Sequence, residues 1–477
     1  MELFFESRQE ITKIEGKLYF FQADPEVLPE PIMRADGRAD GKYVTVHTVL
    51  RDSGCYRMWY DAHPEGPFKH ILSYAESDDG LTWRKPDLNL IKDVAYPNNY
   101  CDLGLGSPSV FIDPDAPPEA RYRATGGLRP TRGWANPQGT TPAYYTAHSV
   151  DGLHWELDSS KPRWFSGDVI NCIYHPGQRR GLAAMKFVRR MNGIARRAIW
   201  TADCRQGQWS DEVCALMPDE YDDVAAQARG CVSGDYYGMS MLPAGSGTVG
   251  LLWNFWHRLP LTSSSVENYA LFGTADIGLV YQSGEQGRWL HVPGRKAFID
   301  SGTFPWNRGW VHGATGVVDV GSEQWYYLNG MQQDHGWALD LDWKPVEKWS
   351  KIADDQRSIG LAKWPAWRLF GFQADPEGLL DYELGRLDRP SRLVLNYKAG
   401  CQGNVRVQLF GREIRGDCIE IPGFSAMEDA VPLTGDSVGE VVRWKSGDVI
   451  QPSPDRRLVA RFIVENAAIY AWEWQPA

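Results

Sequence analysis

No two of the eight cysteines form a Cys-x-x-Cys pair, and they are scattered from Cys55 to Cys418. A zinc site is therefore not expected, and buried free thiols are the default reading. No stretch approaches the roughly 18 apolar residues that a bilayer-spanning helix needs. The opening Met-Glu-Leu-Phe-Phe-Glu-Ser-Arg lacks the basic start and apolar core of a secretory signal, which favours a cytoplasmic location. Basic excess is missing too. The formal net charge of −11 argues against a nucleic-acid partner, because phosphate binding needs a basic face. No run of like charges suggests a membrane-attached tail. Gly-rich phosphate loops, Gly-x-Ser-x-Gly elbows and metal-ligand clusters are absent at convincing spacing, as are long helical periodicities.

What is present in quantity is aromatic: 21 tryptophans and 21 tyrosines in 477 residues. Aromatic faces bind sugar C–H faces, yet they also fill sheet-to-sheet cores, and most are expected to pack cores. Several tryptophans close a recurring turn. The clear copies are Ser77-Asp78-Asp79-Gly80-Leu81-Thr82-Trp83 and Ser149-Val150-Asp151-Gly152-Leu153-His154-Trp155. A worn copy runs from Ser283 to Trp289 and a looser one from Thr201 to Trp209. Asp-Gly between apolar strands reads as a type I′ hairpin turn, with positive φ at both central residues.

Three or four strand-like runs precede each turn, such as Tyr43 to Leu50, Tyr56 to Tyr60 and Ile71 to Ala75 in the first unit. Five such units follow one another; the fifth lacks the Asp-Gly turn. Repeated units of this kind predict an all-β fold, a five-bladed β-propeller around a central channel. The run Lys17 to Gln22 is expected to complete the last blade. After Phe372 the texture changes to about six short alternating strands, including Arg392 to Tyr397, Val405 to Leu409, Arg457 to Val464 and Ala467 to Trp474. These predict a C-terminal β-sandwich, so residues 1–372 are assigned to the propeller and 373–477 to the sandwich.

Tyr56-Arg57-Met58-Trp59-Tyr60, the Ser77 to Trp83 turn, and Asp113-Pro114 with Arg121-Tyr122-Arg123-Ala124 resemble the five-bladed β-propeller glycoside hydrolases. The invertase–levanase and arabinanase–xylosidase groups, whose members often carry a C-terminal β-sandwich, are the nearest in texture. The Trp-Met-Asn-Asp-Pro-Asn-Gly entry, the Arg-Asp-Pro and the Glu-Cys signatures of invertases are absent, so the chain reads as a divergent relative. The resemblance implies hydrolysis of a furanoside or small oligosaccharide in an axial pocket. A carbohydrate is the partner so implied. No cofactor is expected, although such a channel can hold a structural calcium ion.

Glycoside hydrolysis usually takes two carboxyl groups, about 5–5.5 Å apart for retention and about 6.5–9.5 Å for inversion. Carboxylates just before each innermost strand are the candidates. Asp40, with Asp36 nearby, precedes the first blade and stands where the family's base or nucleophile would. Asp168 enters the third blade, to fix the sugar or stabilise the transition state. Asp235 enters the fourth, with Asp223 shortly before it. One of Asp223, Asp235 and Glu267 is the expected general acid. For Asp40 and Asp168 the bland alternative is a turn carboxylate. In the fifth blade His312 and His335 suit proton transfer or sugar anchoring. Trp306, Trp310 and Trp337 suit a sugar platform, with packing between blades as the alternative. Two other functions compete: a glycan-binding propeller without a working acid pair, and a phosphorylase, which would set Arg308 or an Arg/His cluster beside the acid.

Overall fold

The computed structural model describes residues 1–64, 71–128, 143–165, 168–191, 194–259, 272–336, 357–412 and 416–477. The molecule is a five-bladed β-propeller joined to a β-sandwich. Blade one holds Val44–Asp52, Cys55–Ala62 and Ile71–Ser77; blade two holds Leu105–Ile112, Tyr122–Leu128 and Ala143–Ser149. Blade three is built on Ile170–His175, Arg180–Met191 and Ile194–Arg205, and blade four on Ser233–Ala244, Gly247–His257 and Gly273–Gln282. Blade five comprises Trp310–Gly313, Glu323–Met331 and Arg357–Pro365.

The innermost strands close a ring through direct hydrogen bonds. Val110 N–H donates to Thr48 Oγ1 at 3.0 Å, and Cys172 N–H donates to Ser109 Oγ at 2.6 Å. Asn171 Nδ2 donates to the Met239 carbonyl at 3.1 Å, and Met241 N–H to the Thr315 carbonyl at 3.2 Å. Thr315 N–H then donates to the His47 carbonyl at 2.8 Å, returning to blade one. Small hydroxylated side chains on the innermost strands thus satisfy backbone donors that no neighbouring strand reaches.

The ring is completed differently from the expectation. Glu26–Val27, not Lys17 to Gln22, pairs with the outer strand of blade five. Ile11–Gln22 pairs instead with Phe370–Leu387, and Glu2–Leu3 with Ser453–Pro476, inside the sandwich sheet. The burial of Ile11–Gln22, mostly exposed from Thr12 to Lys17, suits an edge strand of that sheet. From Phe370 onward this seven-stranded sheet has five strands rather than six, three of them long. Arg392 to Tyr397 and Val405 to Leu409 are two halves of Ser391–Arg412, and the last two runs are halves of Ser453–Pro476. Register shifts between Ala399 and Asn404 interrupt the alternation and bend the strand, which makes one strand read as two. Both halves send side chains into one core containing Leu395, Val407, Phe462 and Trp472.

The Asp-Gly turns depart from type I′. Only the glycines have positive φ, +74° at Gly80 and +81° at Gly152. Asp79 Oδ1 accepts the N–H groups of Leu81 and Thr82, while Ser77 Oγ accepts that of Gly80. The same set recurs at Ser149 and Asp151. Two-residue turns with positive φ at both positions occur elsewhere, at Ser53-Gly54 and Gln206-Gly207. Each Asp-Gly turn rests on a neighbouring blade: Tyr327 Oη donates to the Gly80 carbonyl and Trp59 Nε1 to that of Gly152, both at 2.9 Å.

Candidate active site

The innermost strands surround a cavity of about 200 Å³ at one end of the propeller axis. Its lining includes His47, Asp61, His63, Asp168, Asn171, Tyr237, Trp310, His312, His335 and Arg357. Three of the five innermost strands carry a register shift, between Val46 and Thr48, Gly106 and Ser109, and Tyr236 and Gly238. His47, Ser107 and Tyr237 lie within those shifts, and all three line the cavity. A bulge re-aims the side chain it carries, which is why such features gather at active sites. Ser107 also holds φ at +47°, a strained value for a residue with a side chain.

His47 Nε2 lies 3.2 Å from Asp61 Oδ2, within ion-pair distance but without hydrogen-bond geometry, which sets an imidazole beside a carboxylate at the cavity. Asp168 is 68% exposed at the cavity and pairs through Oδ1 with Lys186 Nζ at 2.5 Å. Surrounding atoms push its carboxyl up, but Lys186, Arg197 and His335 outweigh them and hold it below the usual range. Lys186 is itself fixed against the Tyr237 ring, 3.8 Å from its centroid.

His312 is held neutral. Trp310 Nε1, which can only donate, gives its proton to His312 Nδ1 at 2.5 Å. Asn329 Nδ2 lies 3.2 Å from His312 Nε2, while its own amide is oriented by the Val46 N–H and carbonyl. Both ring nitrogens thus face donors, so the imidazole does not take up a second proton. Burial, with the charge of Arg357, pushes the pKa well below the ordinary histidine value. Tyr237 Oη and His335 Nε2 are 3.2 Å apart, and the His335 and Trp310 rings lie 5.1 Å apart.

Of the residues proposed from sequence, Asp168, Trp310, His312 and His335 meet in this cavity. Asp40 does not line it. Its side chain is buried, accepts the Tyr60 hydroxyl proton at 2.8 Å and pairs with Lys85 at 2.5 Å; burial raises its pKa although Lys85 opposes the rise. Asp36 pairs with the same lysine, along a separate cleft. Asp235 is buried against Arg196 at 2.7 Å and His257 at 2.9 Å; burial pushes it up, but the hydrogen bond to His257 and the nearby Arg197 and Arg196 guanidinium groups hold it below the usual range, the wrong direction for an acid. Asp223, on the helix Glu220–Ala228, pairs with Arg196 at 3.0 Å. Trp306 packs in the core, where Gly330 and Gly360 leave room for its ring. Arg308 donates to the Gln332 carbonyl and is not among the lining residues. Glu267 and Trp337 lie outside the described residues.

Sequence reasoning passed over His47, Asp61, His63 and Arg357. Asp61 carried a signal: it is the one carboxylate in the apolar run Cys55–Ala62, whose residues are mostly buried. Among the described residues no three His, Cys, Asp or Glu side chains converge to hold a metal ion, and no helix is long and apolar enough to cross a membrane.

No family model matches the chain. It is 30% identical over 164 residues to two uncharacterized proteins of Mycobacterium tuberculosis, MT1551 of strain CDC 1551 / Oshkosh and Rv1502 of strain ATCC 25618 / H37Rv. That match covers 31% of this chain and 48% of each relative, so the chain spans about half the length of the curated relatives it matches. Among solved structures it is similar to a glycoside hydrolase, with TM-score 0.45 and 10% identity over 71% of this chain and 92% of that one. A glycosyl hydrolase from Bacteroides ovatus gives 0.41 and 11%, over 74% and 95%. The β-1,2-mannobiose phosphorylase from Listeria innocua gives 0.41 and 11%, over 73% and 96%.

Proposed function

We propose that the protein is a carbohydrate-active enzyme that cleaves a glycosidic bond at the propeller axis, one sugar ring occupying the cavity. The observation that carries this reading is the joint presence of the His47–Asp61 pair and the ionised Asp168 in one cavity. Its volume of about 200 Å³ is below the roughly 300–1,000 Å³ typical of drug-sized ligand sites, which suits a single ring rather than a long glycan. Polar groups of both hydrogen-bonding senses, beside the Trp253 and Trp310 rings, suit a hydroxylated ligand with an apolar face.

In this reading His47, beside Asp61, moves the proton at the glycosidic oxygen or at the attacking nucleophile. Asp168 stays ionised and faces the positive charge that develops at the anomeric carbon. Lys186 occupies Oδ1 and leaves Oδ2 for the substrate. Both Asp61 and Asp168 face the cavity, which favours an enzyme over a glycan-binding module.

The test is turnover of a panel of nitrophenyl glycosides by the wild type, His47→Gln and Asp61→Asn. Loss of an acid–base group lowers kcat about 10²–10⁴-fold. Wild-type rates in both variants contradict the assignment.

A further inference from the structure

We propose that Arg357 forms an oxyanion subsite of the axial cavity, taking either the carboxylate of an acidic sugar or free inorganic phosphate. This deepens the reading above and rests on it.

Around the cavity, Asp168 is paired with Lys186, and Asp61 lies 3.2 Å from His47. Arg196, nearby, is taken by Asp235 and Asp223. His312 cannot take up charge while Trp310 donates to Nδ1. Arg357 lines the same cavity, yet among the described residues its guanidinium has no ion-paired or hydrogen-bonded partner. The guanidinium lies over the Tyr43 ring, whose centroid is 4.8 Å away. Tyr43 is backed in turn by His63, with ring centroids 3.6 Å apart. The side chain is therefore half-buried and braced by an aromatic face, while its donors remain unused.

A cation left uncompensated in a walled cavity favours an anionic ligand, because field lines focus where low-dielectric walls exclude water. The guanidinium fork matches the two oxygens of a carboxylate or phosphate. Lysine or histidine offers no such fork.

The experiment is calorimetric titration of wild type, Arg357→Gln and Arg357→Lys with matched pairs, glucose against glucuronate and galactose against galacturonate, and with inorganic phosphate alone. The wild type is expected to bind a uronate about tenfold or more tighter than its neutral partner, or to bind phosphate; the first assigns the carboxylate and the second the free ion. Arg357→Gln is expected to abolish that preference while neutral-sugar binding persists. Arg357→Lys, which keeps the charge and loses the fork, is expected to fall between and serves if the glutamine variant does not fold. A wild type that binds neutral sugars but no anion overturns the oxyanion subsite and leaves the enzyme reading standing. Unchanged anion preference in Arg357→Gln overturns it as well. A wild type that binds none of these ligands counts against both.

Discussion

At the scale of single residues, the Trp310–His312 bond has the sharpest consequence. An indole N–H pointing at Nδ1 excludes the imidazolium, so His312 does not serve as a titrating base. Nitrogen NMR of histidine-labelled protein is expected to show His312 neutral down to acid pH. In Trp310→Phe the pKa is expected to move upward toward the ordinary value of about 6.5. A normal titration of His312 in the wild type contradicts this assignment. The same scale shows what sequence position conveys. Asp40 and Asp168 both stand at strand entries; Lys85 and Tyr60 draw Asp40 away from the axis, whereas Asp168 stays at the cavity. Such partners are distant in the chain, so the two cases look alike until the fold brings Lys85 and Lys186 into place.

At the scale of elements, the Ser-x-Asp-Gly turn is a latch between blades. Gly152 needs positive φ, and a Cβ there would lie 2.8 Å from Trp59 Cζ2. Gly54 has positive φ as well, but a Cβ would meet nothing within 4 Å. Gly54→Ala is therefore expected to cost about 1–2 kcal/mol, the conformational penalty alone. Gly152→Ala is expected to cost more, because Trp59 must shift from the carbonyl it donates to. Chemical denaturation of the two variants checks this; equal losses contradict the latch. The recurrence of the turn made the blades legible, since each copy marks where one blade ends and leans on its neighbour. The bulges were not legible. An extra residue in a strand looks like a lapse in alternation, so His47 and Tyr237 read as ordinary strand positions.

At the scale of the whole molecule, the architecture was readable because five units repeat one pattern, whereas the pairing of the first 22 residues was not. Phe20 was expected in the last blade, yet it packs on Phe5, which meets Phe370 and Tyr281 where the sandwich meets the propeller. Sequence pattern states that a strand is half-buried, not which sheet buries it. Charge placement sets the pH response of the whole fold. Burial raises Asp276 from its ordinary 3.8 to about 6, although Arg229 opposes the rise. The folded state then holds a proton that the unfolded state releases, so its contribution is complete below pH 3.8 and is lost as pH rises toward 6. Asp52 runs the other way. Its hydrogen bonds from Arg121 lower it to about 2, so its contribution is present above pH 3.8 and is lost as pH falls toward 2. Denaturation midpoints measured from about pH 2 to pH 7 are expected to lose the upper slope in Asp276→Asn and the acid slope in Asp52→Asn. Unchanged slopes contradict these environments.

If a sugar is cleaved in the axial cavity, Asp168→Asn and Asp40→Asn must differ in turnover. At equal folded fraction on an active nitrophenyl glycoside, Asp168→Asn is expected to lose at least about 100-fold in kcat. Asp40→Asn is expected to keep kcat while losing stability, because its Lys85 pair is buried. Full turnover in Asp168→Asn, with activity abolished in a folded Asp40→Asn, would move the chemistry off the axis.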